Sequence, residues 1–117
     1  MERCVLIKIK KWKKPKIKHN KLTKWNWMVG YPEGLELGKN VDIGAFTYIN
    51  ARYGVIIEDN VQIGSHCSIY SHDTERGIKG KIIIIKGIKI GAHSIILPRN
   101  DKVCYINRNI KAGSVIY

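Results

Sequence analysis

The stretch Ile57-Glu58-Asp59-Asn60-Val61-Gln62-Ile63-Gly64 contains an isoleucine that returns after six residues and is then followed by a glycine. Neither the 3.6-residue period of an α-helix nor the two-residue alternation of a simple strand explains this spacing, so we expect the chain to turn a corner once per repeat. A parallel β-helix has this property. The aliphatic frame comprises Leu37, Ile43, Ile49 and Val55, then Ile57, Ile63 and Ile69, then Ile84, Ile90 and Ile96, and finally Cys104, Ile110 and Ile116.

A second, smaller set of residues follows these anchors by four positions. Two inward residues per short strand would line a narrow prism, and we expect the glycine after each anchor, with Asn40, Asp59 or Asn60, to adopt turn conformations that bulky residues resist. The alternative is a small β-sandwich, which offers no reason for a six-residue spacing that persists across interruptions. The second set includes Val41, Thr47, Val61, Cys67, Ile88, Ser94 and Ser114.

The length of 117 residues predicts a single domain, and the six-residue repeat predicts that this domain is all-β. We divide the chain into two parts. Residues 1–33 are a basic, tryptophan-containing segment and a candidate cap, and residues 34–117 are the predicted β-helix, with a loop at residues 72–83. A solenoid this short leaves exposed ends and flat faces. We therefore expect it to form an oligomer.

The net charge of +12 is concentrated near the start of the chain, where residues 1–30 contain ten lysines and arginines against the single acid Glu2. Three tryptophans lie among these lysines, a composition typical of nucleic-acid or membrane-surface segments. A structural interpretation is that the aromatic residues cap the prism while the lysines stay solvated. A third is that the charge attracts an anionic substrate. The proposed cap residues are Trp25, Trp27, Met28 and Tyr31.

No apolar stretch approaches the roughly 20 residues of a membrane span, and charges interrupt residues 1–11, where a signal peptide would be apolar. We expect a cytoplasmic protein on these grounds. Cys4, Cys67 and Cys104 form an odd set without a Cys-x-x-Cys pair, so free thiols are the simplest interpretation.

Four motifs follow one another along the chain. They are Ile43-Gly44 through Ile49-Asn50, the stretch 57–64 quoted above, Ser71-His72-Asp73, and Ile90-Gly91-Ala92-His93-Ser94-Ile95-Ile96-Leu97-Pro98. Their order resembles that in the hexapeptide-repeat acyltransferases, and the similarity is greatest to the galactoside, maltose and saccharide acetyltransferases of that family. The resemblance covers about half of the chain. It implies a left-handed parallel β-helix that transfers an acyl group, usually acetyl from acetyl-CoA, to a sugar hydroxyl or amine.

The resemblance places the catalytic base at His72. Transfer from a thioester needs a base for the attacking hydroxyl or amine, and histidine titrates near neutral pH. Asp73 and Glu75 are close enough in sequence to orient the imidazole, and Arg76 is placed to meet an acidic or phosphorylated acceptor. Asn50 matches the position that holds the acceptor sugar. For each of these residues a role in loop or ladder structure is the alternative.

The resemblance also implies a donor site and an assembly. Small residues would let the pantetheine arm of acetyl-CoA approach the coil edge, between two subunits of a homotrimer. The acceptor would be a sugar, either nucleotide-linked or part of a surface glycan precursor. The implied cofactor-binding residues are Ala92, Ser94, Ala112 and Ser114.

The end of the chain departs from the family pattern. Residues 99–103 replace a glycine-containing turn and add two residues, which places Asn100 and Arg108 on nominally inward positions unless the last repeat is shifted. Burial of these side chains without partners would be unfavourable.

Two other classes of function remain open. The γ-class carbonic anhydrases share the expected fold and bind a metal through three histidines, and His66, His72 and His93 are available here, although not at that spacing. A non-catalytic scaffold, or a protein that binds nucleic acid through its basic segment, is the third class.

Overall fold

The computed structural model describes residues 12–117, so the first eleven residues of the predicted basic segment lie outside the described part of the chain. The fold is all-β, with one short 3₁₀ turn at Pro32–Gly34. The strands are β1 (Met28–Gly30), β2 (Leu35–Leu37), β3 (Asp42–Ile43), β4 (Tyr48–Asn50), β5 (Val55–Ile57), β6 (Gln62–Ile63), β7 (Ser68–Tyr70), β8 (His72–Asp73), β9 (Ile78–Lys79), β10 (Ile82–Ile84), β11 (Lys89–Ile90), β12 (Ile95–Ile96), β13 (Cys104–Ile106) and β14 (Val115–Ile116).

Three parallel sheets contain every strand except β8 and β9, which form an antiparallel hairpin. The first sheet has the order β1-β4-β7-β12-β14, the second has β2-β5-β10-β13 and the third has β3-β6-β11. The chain visits the three sheets in the same order each time, and we call one such passage a coil. The β8–β9 hairpin leaves this path between β7 and β10.

The aliphatic frame predicted from the sequence lies in the core. Equivalent isoleucines of neighbouring coils pair in register: Ile43 pairs with Ile63, and Ile63 with Ile90. The anchors are buried, apart from Leu37 and Ile116, which are partly buried against the core. The strands alternate inward and outward residues, so one face of each sheet supplies the hydrophobic core.

The glycines after the anchors have a different role from the one predicted. Gly44, Gly64 and Gly91 have no positive φ, so their turn conformation does not require glycine. They are required because the next coil passes very close: a Cβ on Gly64 would lie 2.5 Å from the backbone nitrogen of Ala92. The left-handed corner residues are instead Asn40, Phe46, Asn60, His66, Gly87, His93 and Gly113. Asn40 and Asn60 were predicted as turn residues, and Asp59, which was offered as an alternative, precedes Asn60 in the same turn.

The described part of the N-terminal segment packs on the first coil. Trp27 is buried in the core, and the indole nitrogen of Trp12 donates a hydrogen bond to the carbonyl of Val41 at 3.2 Å. Trp25 is 46% exposed and contributes little to a cap. The parallel sheets begin at Met28, ahead of the boundary that we drew at residue 34.

The last coil regains the repeat after a short turn. Asn100 and Arg108, on nominally inward positions, are both exposed. Residues Arg99 and Lys102 form an antiparallel bridge that accommodates the extra residues, and Cys104, Ile106 and Ile110 then take the buried positions. Within residues 12–117, no helix has the length and apolar character needed to cross a bilayer.

Candidate active site around His72

His72 lies where the chain leaves the coils. It opens β8 directly after β7, and its pairing with Lys79 starts the hairpin. The hairpin and the outward faces of β4 and β7 enclose a surface recess of about 350 Å³. The recess, which we call the His72 recess, is lined by Asn50, Tyr70, His72, Asp73, Thr74, Glu75 and Leu97.

The imidazole of His72 is partly exposed and packs edge-on against the ring of Tyr53, with the ring centroids 5.6 Å apart. Among residues 12–117, no group hydrogen-bonds to either ring nitrogen in this structure. A neutral imidazole can donate through one nitrogen and accept through the other. The ring is therefore available to accept a proton from a ligand bound in the recess.

Asn50 lies beside the histidine, on the outward face of β4 and in register with Tyr70. Its Oδ1 accepts a hydrogen bond from the backbone N–H of Arg52 at 3.0 Å. Its backbone carbonyl accepts one from the hydroxyl of Ser71 at 2.8 Å. The bond to Oδ1 orients the side-chain amide and leaves its NH₂ group to donate to a ligand.

Asp73 does not orient His72, contrary to one of the predictions. Its carboxylate forms a short ion pair with Nε of Arg76 and accepts a hydrogen bond from the backbone N–H of the same residue at 3.2 Å. The Arg76 guanidinium thereby holds the pKa of the Asp73 carboxyl below its usual range. The pair closes the turn of the hairpin, while Glu75 is exposed at the rim of the His72 recess.

The four residues predicted to bind the donor lie at the corner between the third and first sheets. Ala92 stacks over Gly64, and Ala112 over Gly91, so both lie at the coil edge. The side chain of Ser94 is fully buried, and its hydroxyl donates to the carbonyl of Gly91 at 2.7 Å. The side chain of Ser94 therefore faces the interior, and its assignment to the donor site stays a prediction. Ser114 is partly exposed and bonds to the carbonyl of Lys111.

The buried serine belongs to a series of hydrogen bonds that we did not predict. At this corner the Thr47 hydroxyl donates to the carbonyl of Gly64 at 3.0 Å, and the Cys67 thiol to that of Gly91 at 3.3 Å. The Ser94 hydroxyl also reaches the carbonyl of Lys111 at 3.2 Å, so each of the three side chains satisfies a carbonyl of the next coil. The sequence signal was the small residue four positions after the anchor, which we interpreted only as filling space.

The three histidines of the alternative metal site do not come together. His66 and His93 stack at the corner with centroids 4.9 Å apart, whereas His72 contacts Tyr53. Residues 12–117 contain no group of three or more histidine, cysteine or acidic side chains that could hold a metal ion.

Comparison with known proteins gives no relative: no protein-family model, curated protein or solved structure matches the chain.

Proposed function

We propose that this protein is an acyltransferase of the hexapeptide-repeat type, which transfers acetyl from acetyl-CoA to a hydroxyl or amine of a sugar in the cytoplasm. The observation that supports this most strongly is the His72 recess, where a partly exposed imidazole without a hydrogen-bond partner among residues 12–117 lies beside the Asn50 amide. The motif resemblance points to the same histidine.

The fold that we infer is a left-handed parallel β-helix. Its support is the fixed order in which the chain visits three parallel sheets, together with the in-register stacking of isoleucines from coil to coil. The handedness rests on the motif resemblance alone.

In the proposed reaction the Asn50 amide positions the acceptor, and His72 accepts the proton of the attacking hydroxyl or amine. The acceptor oxygen or nitrogen bonds to the acetyl carbonyl carbon, the C–S bond of the thioester breaks, and the departing CoA thiolate takes the proton from His72. Transfer is direct. Cys67 is a poor candidate for an acyl-enzyme, because it is buried and its thiol is bonded to the Gly91 carbonyl. Burial also raises the pKa of this thiol, which disfavours the thiolate.

Ala92 and Ala112 are the residues that fit a donor site, because their small side chains leave the coil edge open to an extended pantetheine arm. Bound acetyl-CoA would supply the activated acyl group. We also propose a homotrimer. Ile95 and Val115 are adjacent in register on the outward face of the first sheet, and both are exposed, as is Tyr117. An apolar face of this kind is what a second copy would cover.

The test is the substitution His72→Ala, with acetyl transfer to a panel of sugars and acetyl-CoA binding measured on the same protein. Loss of a general base should reduce turnover by a factor of about 10² to 10⁴ and leave acetyl-CoA binding unchanged. Gln62→Ala is the control, because Gln62 is exposed on the outward face of the third sheet and does not line the His72 recess. Unchanged turnover in His72→Ala would exclude His72 as the base.

A second candidate function is nucleic-acid binding by a non-catalytic scaffold. The observation that favours it is a run of exposed lysines, Lys13, Lys14, Lys16, Lys18, Lys21 and Lys24, with no acidic residue between Trp12 and Pro32. This candidate would be favoured if the folded protein does not bind acetyl-CoA but binds single-stranded nucleic acid with an affinity that falls steeply as the salt concentration rises.

A further inference from the structure

A second recess, of about 390 Å³, lies on the other side of the β8–β9 hairpin. Its polar lining comes from two segments that are far apart in sequence: Arg76 in the hairpin, and Arg99, Asn100 and Lys102 in the turn before β13. The ring of Tyr117 forms part of the wall. We call this the cationic recess.

The turn that carries Arg99 and Lys102 is held firmly against the chain segment that leaves the hairpin. The backbone N–H of Asp101 donates to the carbonyl of Lys79 at 3.0 Å, and that of Cys104 to Lys81 at 2.9 Å. Gly80 leaves no room for a side chain, since a Cβ there would lie 2.5 Å from the carbonyl oxygen of Arg99. The two cations are thus placed by backbone contacts, which reduces the entropic cost of ordering them around a ligand.

The charge of the cationic recess is unbalanced. Asp73 neutralises Arg76, whose guanidinium lies 5.1 Å from the centre of the Tyr117 ring. Within residues 12–117, neither Arg99 nor Lys102 forms an ion pair with a carboxylate. Lys102, the Asn100 amide and Arg99, whose side chain also lies near the Cys104 thiol, line this recess. Guanidinium and ammonium groups bind phosphate oxygens through charge-assisted hydrogen bonds.

The cationic recess borders the His72 recess. The neighbouring residues Leu97 and Pro98 line the His72 recess and the cationic recess, respectively. Likewise Asp73 lines the His72 recess, and its ion-pair partner Arg76 lines the cationic recess. A ligand that spans both would place a neutral portion beside His72 and an anionic portion on Arg99 and Lys102. The exposed Tyr117 ring, beside the Arg76 guanidinium, offers a stacking surface in the cationic recess.

We propose that the cationic recess binds the diphosphate of a nucleotide-linked sugar, whose sugar is the acceptor presented to His72. This inference rests on the proposed acyltransferase function and names the acceptor class for that same site. Acetyl-CoA also contains a diphosphate group. The experiment must therefore distinguish binding of the acceptor in the cationic recess from binding of the donor there.

The experiment is calorimetric titration with uridine diphosphate and, separately, with acetyl-CoA, at low salt because ionic binding is screened. We compare the wild type with the double variant Arg99→Gln/Lys102→Gln. The control is Lys89→Gln, which removes a charge from the exposed face of the third sheet. The double variant should bind uridine diphosphate about tenfold more weakly or worse, a loss of about 1.4 kcal/mol. Lys89→Gln should bind it as the wild type does, and acetyl-CoA binding should not change in either variant.

Three results would overturn the inference. In the first case the wild type does not bind uridine diphosphate at all, and in the second the double variant binds uridine diphosphate as tightly as the wild type does. In the third case the double variant loses acetyl-CoA binding but keeps uridine diphosphate binding. The last would assign the recess to the donor. These titrations need no turnover, so the proposed function fails separately, through His72→Ala. If the wild type transfers acetyl to a neutral sugar but does not bind uridine diphosphate, the inference is rejected and the proposed function is kept.

Discussion

Gly64 shows how little space the corners between coils leave. Its missing side chain is replaced by the backbone of Ala92 from the next coil, and Gly44 and Gly91 meet Ser65 and Ala112 in the same way. The glycine that follows four of the anchors, at positions 38, 44, 64 and 91, is therefore a packing requirement between coils. It explains why aliphatic-glycine pairs recur at this register position in the sequence.

Substitution of this glycine should be strongly destabilising. Gly64→Ala forces a Cβ into the Ala92 backbone, and overpacking of this kind should lower the free energy of unfolding by about 3 kcal/mol. Gly77→Ala is the comparison, because Gly77 lies in open space and has a φ of 65°. Only the left-handed backbone penalty of about 1 kcal/mol applies there. Urea denaturation of both variants measures the difference, and equal midpoints would contradict the packing explanation.

The β8–β9 hairpin is held by one ion pair rather than by a hydrophobic core. Its turn consists of exposed residues, and Asp73 joins its first strand to Arg76 in the turn. Arg76 also contacts Pro98 and Tyr117, so the pair fixes the boundary between the two recesses. The geometry of the candidate site therefore depends on this short element.

The pH dependence of the hairpin follows from the lowered pKa of Asp73. A carboxyl whose pKa is lower in the folded state contributes stability above the pKa of the unfolded chain and loses it as pH falls through the folded pKa. The Nε–H resonance of Arg76 should thus stay constant through about pH 4, where aspartate normally titrates, and change only at lower pH.

A titration midpoint at or above the ordinary aspartate pKa would contradict this prediction. Glu75→Gln is the control, because Glu75 is exposed and should leave the Arg76 resonance unaffected. Asp73→Asn should remove the titration and accelerate hydrogen exchange in the hairpin at neutral pH.

At the scale of the whole molecule, the outward face of the first sheet carries apolar side chains that do not belong to the core. Ile95 is 37% exposed and Val115 51% exposed, side by side on the first sheet. Light scattering should give a mass of about three chains for the wild type, as proposed, and a reduced mass for Ile95→Lys/Val115→Lys, because buried charges without partners are unfavourable. Gln62→Lys places a charge on the third sheet and should leave the mass unchanged. A wild type with the mass of one chain would rule out the trimer.

The sequence alone determined the all-β class, the parallel strands and the identity of the inward residues. A six-residue spacing constrains which way each side chain faces, and that constraint is local, so it can be read from Ile43, Ile63 and Ile90 without coordinates. His72 was singled out by the motif resemblance, and the break in the repeat placed it only where the chain leaves the coils.

Only the tertiary structure decided which side chains meet. The pairing of Asp73 with Arg76, the burial of Ser94 and the stacking of His66 on His93 depend on distances between coils and on the path of segments that leave the repeat. The cationic recess combines Arg76 with Arg99 and Lys102, which the backbone bonds of residues 79–81 bring together. A periodic pattern contains no information about such contacts, because it specifies the direction of a side chain and not its partner in another coil.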